Sequence, residues 1–335
     1  MVFGDRDLDD FQDAFRCYEA ATGTHLWTVH SLAIGKLDYG NSPRATPLID
    51  GERVFLFGAF GDVSCVELAT GNIRWQTNVR SKFDADAELP WGYCGSPLLV
   101  DGRLIVNPGA QAASLVALKA DDGSLVWKTP GAGPSYGSLM VGTFGGKRQI
   151  VGHDADSLGG WDVETGERLW KLTPEAPGDF NVPTPLQYQG KLLVTTENNG
   201  TRLFEFKPGG VIVPEPVTHT KRLAPDMSSP VIVGDRLFCV NRFLYCLDLT
   251  DGLQEHWRAR DRTLSDYGSI IADDERLLVV GRGELLLVDV TNSSLANADR
   301  LRVFDDQLEI YSHPALVGDH LYIRGESSLR CIALR

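Results

Sequence analysis

The 335-residue sequence predicts an all-β fold, an eight-bladed β-propeller of four-stranded antiparallel blades, and three repeated landmarks carry that prediction. The first is tryptophan. Trp27, Trp75, Trp127, Trp170 and Trp257 fall at intervals of 48, 52, 43 and 87 residues, the last spanning two periods. The second is the turn ahead of each indole: Thr22-Gly23, Thr70-Gly71, Asp122-Gly123, Thr165-Gly166 and Asp251-Gly252. Glycine there supplies the positive φ of a tight hairpin. The third is an upstream apolar strand, a turn and a second strand, as in ATPLIDGERVFLFG, SPLLVDGRLIVN and TPLQYQGKLLVTT.

Each element of the unit follows in order. A first strand, usually opened by proline, runs into an Asp-Gly-like turn and a second apolar strand. A third, alternating strand comes next, and eight are readable: FRCYEA, VSCVEL, LVALKA, GGWDV, LFEFKP, LYCLDL, LLLVDV and LRCIAL. The Thr-Gly turn and the Trp-bearing fourth strand close the unit. No segment shows the 3.6-residue helical period. A lone four-stranded sheet of this kind has two apolar faces and covers neither, so neighbouring units must stack. The indoles are expected between adjacent blades. Near Val213 and Val303 the Trp is replaced, which marks units five and seven as irregular.

The ends read as partial units. At the N-terminus Val2-Phe3, Phe15 to Ala20 and Leu26 to Val29 supply a second, third and fourth strand. At the C-terminus His313 to Val317, His320 to Arg324 and Leu329 to Leu334 supply a first, second and third. The count is eight blades with two thin ones, or seven if the partial units merge. No composition break separates two cores, so a single propeller domain over residues 1–335 is expected.

The formal charge of -13, from 45 acidic and 32 basic residues, repels a phosphate backbone and argues against nucleic acid as a partner. No apolar run is long enough to be a membrane-spanning helix. The opening MVFGDRDLDDFQDAF lacks the basic start, apolar middle and small-residue cleavage site of a secretory signal. A monomer is expected.

Cys17, Cys65, Cys246 and Cys331 share one repeat position, where other units carry Ala117 and Gly160. Equivalent atoms in packed sheets lie about 10 Å apart, beyond disulfide reach, so these read as small buried packing residues. Cys94 and Cys239 lie in other contexts, and no Cys-x-x-Cys is present.

The pattern Ser-Pro-x-x-x-Asp-Gly, L-x-A-x-D, Thr-Gly-x-x-x-Trp resembles the pyrroloquinoline-quinone-like (PQQ-like) repeat family over nearly the whole chain. That family includes quinoprotein dehydrogenases and the outer-membrane assembly lipoprotein BamB, so the resemblance implies the fold strongly and activity weakly. It also implies a periplasmic or cell-envelope location. For the enzymes it implies PQQ held over two adjacent cysteines beside Ca²⁺. This chain has no Cys-Cys pair and lacks their long insertions. Asp5-Asp7-Asp9-Asp10 and Asp84-Asp86-Glu88 offer some oxygen ligands for calcium, and equally read as solvated acidic loops. His153-Asp154-x-Asp156 reads either as metal ligands or as turn polarity.

In propellers the loop entering the first strand and the loop joining the second and third share one face. Aromatics recur just before the first strands: Tyr39, Trp91, Tyr93, Tyr136, Phe180, Tyr267 and Tyr311, with Met227 in the remaining unit. They suit stacking on a flat ligand or gripping a peptide, or else fill gaps between blades. Polar groups follow at the second-strand ends: Asn107, His153, Asn198, Arg242, Arg282 and Arg324, with Arg44 and His313 flanking first strands. The cations suit a small anion or a carboxylate-bearing peptide. The expected function is a non-catalytic binding or scaffold propeller for protein partners or a small anionic ligand. The alternatives are a PQQ- and Ca²⁺-dependent oxidoreductase and a sensor module of a larger protein.

Overall fold

The computed structural model describes residues 1–6, 11–291, 294–305 and 310–334. The fold is an eight-bladed β-propeller, nearly all β: among the described residues there are eight antiparallel sheets and one helix of four residues. The chain divides into two compact units, the first comprising residues 1–174 and 207–212, the second residues 175–206 and 213–335.

The first unit holds four sheets. Sheet one is β1 (Val2–Arg6), β2 (Gln12–Tyr18) and β3 (His25–Leu32), and sheet two is β4 (Leu48–Asp50), β5 (Arg53–Phe57), β6 (Asp62–Glu67) and β7 (Ile73–Asn78). After α1 (Val79–Lys82) come β8 (Leu98–Val100), β9 (Arg103–Val106), β10 (Leu115–Lys119) and β11 (Leu125–Thr129). Sheet four is β12 (Met140–Phe144), β13 (Lys147–His153), β14 (Leu158–Asp162) and β15 (Arg168–Leu172).

The second unit repeats the plan. Sheet five is β16 (Leu186–Tyr188), β17 (Lys191–Thr196), β18 (Gly200–Phe204) and β19 (Thr218–Thr220). Sheet six is β20 (Val231–Val233), β21 (Arg236–Asn241), β22 (Phe243–Asp248) and β23 (Gln254–Ala259). Sheet seven is β24 (Ser269–Ala272), β25 (Arg276–Val280), β26 (Glu284–Asp289) and β27 (Asp299–Arg302). Sheet eight, like sheet one, has three strands: β28 (Ala315–Val317), β29 (His320–Arg324) and β30 (Leu329–Ala333).

The core lies between successive sheets, and the middle strands explain why their sequences are continuously apolar rather than alternating. On β5, Phe55 and Phe57 pack with Leu104 and Val116 of sheet three, while Val54 and Leu56 pack with Phe15 and Val29 of sheet one. Period-two side chains thus meet a neighbour on either face. The same arrangement recurs in the second unit, where Phe238 and Val240 pack toward sheet seven and Leu237 and Cys239 toward sheet five. The Asp-Gly turns match their expected geometry: Asp101 (φ 49°) and Gly102 (φ 72°) both lie in the left-handed region of a type I′ hairpin.

The Thr-Gly…Trp signature has a second cause beyond turn geometry. The indole N–H of Trp27 donates to Leu68 O of the next sheet at 2.9 Å, that of Trp75 to Ala120 O at 2.9 Å, and that of Trp127 to Val163 O at 3.2 Å. Each ring also covers the turn glycine of that next sheet. A Cβ on Gly71 would lie 2.7 Å from Trp27, one on Gly123 2.6 Å from Trp75, and one on Gly166 2.4 Å from Trp127. Glycine and tryptophan therefore recur together because they form one contact between neighbouring blades.

Two features differ from the sequence reading. The missing indoles are not at Val213 and Val303. Strand register puts Thr218, opposite Leu203, and Asp299, opposite Leu287, at the position that Trp75 holds opposite Cys65. Thr218 keeps the latch, its hydroxyl donating to Gly252 O at 2.9 Å. Cys331 shares its repeat position with the buried Cys17, Cys65 and Cys246 yet is exposed, because among the described residues sheet eight has no fourth strand to cover β30. All six cysteines are thiols.

Candidate functional site

In the first unit the face read from sequence is built by the loop 33–47, the loop 83–97 and the turn around Tyr136. Trp91 and Tyr136, both half-buried, meet edge to face at 4.8 Å. Cys94 closes the same corner, its thiol donating to Trp91 O at 3.5 Å, and burial pushes that thiol up to about 12. Tyr39 stands out at 84% exposure with φ 66°. Arg44 does not project as a ligand-seeking cation. It donates to Ser42 Oγ, to Asp38 O at 2.9 Å and to Gly40 O at 2.8 Å, clamping its own loop. Its charge also partly offsets burial at Asp13, whose carboxyl is pushed up to about 6 by desolvation.

Several expected site residues are packing groups. Tyr93 is buried and donates to Pro108 O at 2.8 Å. Tyr267 is buried and donates to Tyr311 O at 3.1 Å. Neither phenol is available to stack on a ligand, because each fills the gap its own loop leaves. Asn107 and His153 are buried as well. The Asp154 carboxylate beside His153 is already occupied: it accepts from Ser157 Oγ at 2.7 Å, Asp156 N at 3.1 Å and Arg168 Nη1 at 2.8 Å. The His153-Asp154-x-Asp156 run is therefore a turn anchored by Arg168.

In the second unit Phe180 and Asn198 come together. The Phe180 N–H donates to the Glu197 carboxylate, and Asn198 N donates to Asp179 Oδ1 at 2.7 Å. Phe180 remains about half exposed, as does Tyr311, whose ring meets that of Tyr267 at 5.5 Å in a tilted contact. His313 is exposed, and Arg324 is half-buried, its carbonyl accepting from Ser312 Oγ at 2.6 Å.

Two cavities open in this unit, and both are lined by loops entering first strands and turns joining second and third strands. One, of about 370 Å³, is lined by Glu197, Asp226, Asn241, Arg242, Phe243 and Asp266, with Arg242 donating to Asp266. The other, of about 580 Å³, is lined by Arg260, Asp261, Arg262, Leu264, Arg282 and Glu284. Of these six only Arg282 stood out in the sequence. The alternating Arg258-Ala259-Arg260-Asp261-Arg262 run was the legible signal for Arg260, Asp261 and Arg262.

Glu284 organises this second cavity. Its buried carboxylate accepts from Thr263 Oγ1 at 2.8 Å, Arg300 Nη1 at 2.6 Å, Arg262 Nη2 at 3.0 Å and Arg302 Nη2 at 3.3 Å. Burial raises its pKa, but these donors together outweigh burial and hold the carboxyl at about 2, below its ordinary 4.5. A depressed carboxyl stabilises the fold above the unfolded value and loses that contribution as pH falls through the folded one. The melting temperature of wild type is thus expected to approach that of Glu284→Gln as pH drops from about 4.5 to about 2. A constant gap across that range in thermal melts refutes the assignment.

The residues do not fit the quinone and calcium that the enzyme resemblance implies. Cys94 and Cys239 have no cysteine neighbour in sequence, and Asp5 is ion-paired to Arg16 at 2.7 Å. Asp7, Asp9 and Asp10 lie outside the described residues. Among the described residues no group of three or more His, Cys, Asp or Glu is placed to hold a metal ion, and Asp84-Asp86-Glu88 is no exception.

Fold and site together define a PQQ-like repeat propeller whose loop face carries exposed aromatics and charged bowls. The family model described as outer membrane protein assembly factor BamB matches residues 12–140 and 115–299, and the chain belongs to that family. BamB of Shewanella oneidensis is 23% identical over 85% of this chain and 82% of its own length. The crystal structure of BamB from Moraxella catarrhalis superposes with a TM-score of 0.63 at 13% identity, covering 98% of this chain and 97% of that one. The quinoprotein alcohol dehydrogenase PedH of Pseudomonas putida is 29% identical, but over 40% of this chain and 23% of its own.

Proposed function

We propose that residues 1–335 act as one non-catalytic propeller domain in the cell envelope, where the chain binds protein partners through its loop face. The observation that carries this reading is the set of exposed or half-exposed aromatics on the loops that enter first strands, Tyr39, Trp91 and Tyr136 in the first unit and Phe180 and Tyr311 in the second. Aromatic anchors of this kind concentrate binding energy in protein interfaces, because each adds large contact area for few rotatable bonds. Membership of the BamB family, whose name describes an assembly factor, supports it. The absence of a vicinal cysteine pair favours it over quinone chemistry.

A photo-crosslinking residue placed at Tyr39, Phe180 or Tyr311, with Ile49 as an exposed control, tests it in extract of the producing cells. Discrete protein adducts from the loop-face positions and not from Ile49 are expected. Absence of adducts at all three, with a melting shift on adding PQQ and Ca²⁺, would overturn the proposal.

A further inference from the structure

We propose that the cavity of about 370 Å³ beside sheet six is a recognition pocket for a single guanidinium, the side chain of an arginine on a protein partner. This rests on the scaffold reading above and specifies one group that the partner presents.

The pocket forms inside the second unit where loops of neighbouring sheets meet. Glu197 comes from the turn joining β17 and β18, Ala224 and Asp226 from the loop entering β20, Asn241, Arg242, Phe243 and Tyr245 from the turn between β21 and β22 and the start of β22, and Asp266 from the loop entering β24. Its lining is acidic: three carboxylates, of Glu197, Asp226 and Asp266, face one guanidinium, that of Arg242, which leaves a surplus of two negative charges. Arg242 bonds Asp266 and lies in the field of Asp226. Neighbouring cations are committed elsewhere. Arg202 of β18 donates to Thr196 Oγ1 at 3.1 Å and is answered electrostatically by Asp179, while Arg258 of β23 pairs with Glu255 at 3.6 Å.

Two lining groups are buried without the hydrogen bonds that burial demands. Glu197 accepts the Phe180 N–H at Oε1, but its Oε2 is buried and bonds nothing among the described residues. Burial raises the pKa of this carboxyl, and the charges of Asp179 and Asp226 push it the same way. Tyr245 is only 6% exposed and lines the cavity, and its hydroxyl has no hydrogen-bond partner among the described residues. An unbonded carboxylate oxygen and an unbonded phenol in one acidic cavity point to a ligand that brings N–H donors and positive charge.

The walls select the kind of cation. A guanidinium carries five N–H donors in a plane, stacks on aromatic faces and is more weakly hydrated than an ammonium, so it enters a half-buried cavity at less cost. Here it meets carboxylates of Glu197 and Asp226 with the rings of Phe243 and Tyr245 beside them. The half-exposed Phe180, tied to the Glu197 carboxylate through its N–H, places an aromatic anchor of the loop face next to the pocket. Arginine and aromatic side chains are the groups in which interface binding energy concentrates.

The test is a ligand-detected NMR titration of the full chain at low salt with Nα-acetyl-arginine amide, and with Nα-acetyl-citrulline amide as its neutral match. Wild type is expected to bind the arginine amide at least about tenfold tighter. Glu197→Gln/Asp226→Asn, which keeps an oxygen for the Phe180 N–H, is expected to lose about tenfold. Tyr245→Phe is expected to lose about threefold at an unchanged melting temperature, because its hydroxyl bonds nothing in the protein. Asp86→Asn/Glu88→Gln removes two charges from an exposed loop of the other unit and is expected to leave binding unchanged. Equal affinity for the two probes overturns the proposal, as does wild-type affinity in Glu197→Gln/Asp226→Asn or an equal loss in Asp86→Asn/Glu88→Gln. Equal affinity for Nα-acetyl-lysine amide marks a pocket that reads charge alone and overturns the guanidinium assignment. Photo-adducts from position 180 that persist unchanged in Glu197→Gln/Asp226→Asn overturn this proposal and leave the scaffold reading intact. Preference for the arginine amide without any loop-face adduct does the reverse: the scaffold reading falls, and the pocket stands as a site for a free guanidino compound.

Discussion

Gly166→Ala is expected to destabilise the chain by about 3 kcal/mol, read as a lowered midpoint in guanidinium unfolding. Two costs add. Holding an alanine at φ 71° costs about 1 kcal/mol, because its Cβ crowds the following carbonyl. The new methyl would also sit 2.4 Å from the ring of Trp127, forcing the indole out of its slot against sheet four at about 2 kcal/mol. Gly102→Ala separates the two, since Gly102 has the same φ of 72° with nothing within 4 Å of its Cβ position. It is expected to cost only about 1 kcal/mol. Equal losses in the two variants would show that the indole contact contributes nothing and that turn geometry alone explains the recurring Thr-Gly.

Arg168→Met is expected to cost about 3 to 5 kcal/mol, because it strands a buried charge. The Asp154 side chain is only 4% exposed, and Arg168 is its cationic partner at 2.8 Å. The guanidinium also lies 4.8 Å over the Trp161 ring, so its removal uncovers an indole. Adding Asp154→Asn to Arg168→Met removes the stranded charge, and the double variant is expected to recover a substantial part of the loss. Denaturant midpoints for the two single variants and the double close the cycle. An additive double variant would mean that Asp154 and Arg168 do not act as a pair.

Family resemblance and blade count were readable because repetition averages over local accidents. Five indoles at one position and eight alternating third strands over-determine the architecture, and the structure bears out eight sheets. The location of the loop face was readable for the same reason, and both cavities in the second unit are lined by the two loop classes expected there. Single residues were less legible. Tyr93 and Tyr267 occupy the same kind of sequence position as the exposed Tyr39, yet they are buried. A periodic pattern records that an aromatic precedes the first strand, but not whether its loop turns the ring inward.

The charged bowl shows most sharply what required three dimensions. Thr263, Glu284 and Arg300 are 21 and 16 residues apart in the chain, and neither spacing announces a shared carboxylate. By itself the sequence determined the repeat unit, the sheets it builds and the turns that join them, since those depend on local geometry and on the need of two-faced sheets to stack. Tertiary structure alone decided which polar groups satisfy one another, because hydrogen-bond partners are chosen by loop paths whose ends lie on different strands. That pairing leaves Arg44 and Asp154 committed to their own turns and brings Arg260, Arg262 and Arg282 to the rim of one bowl.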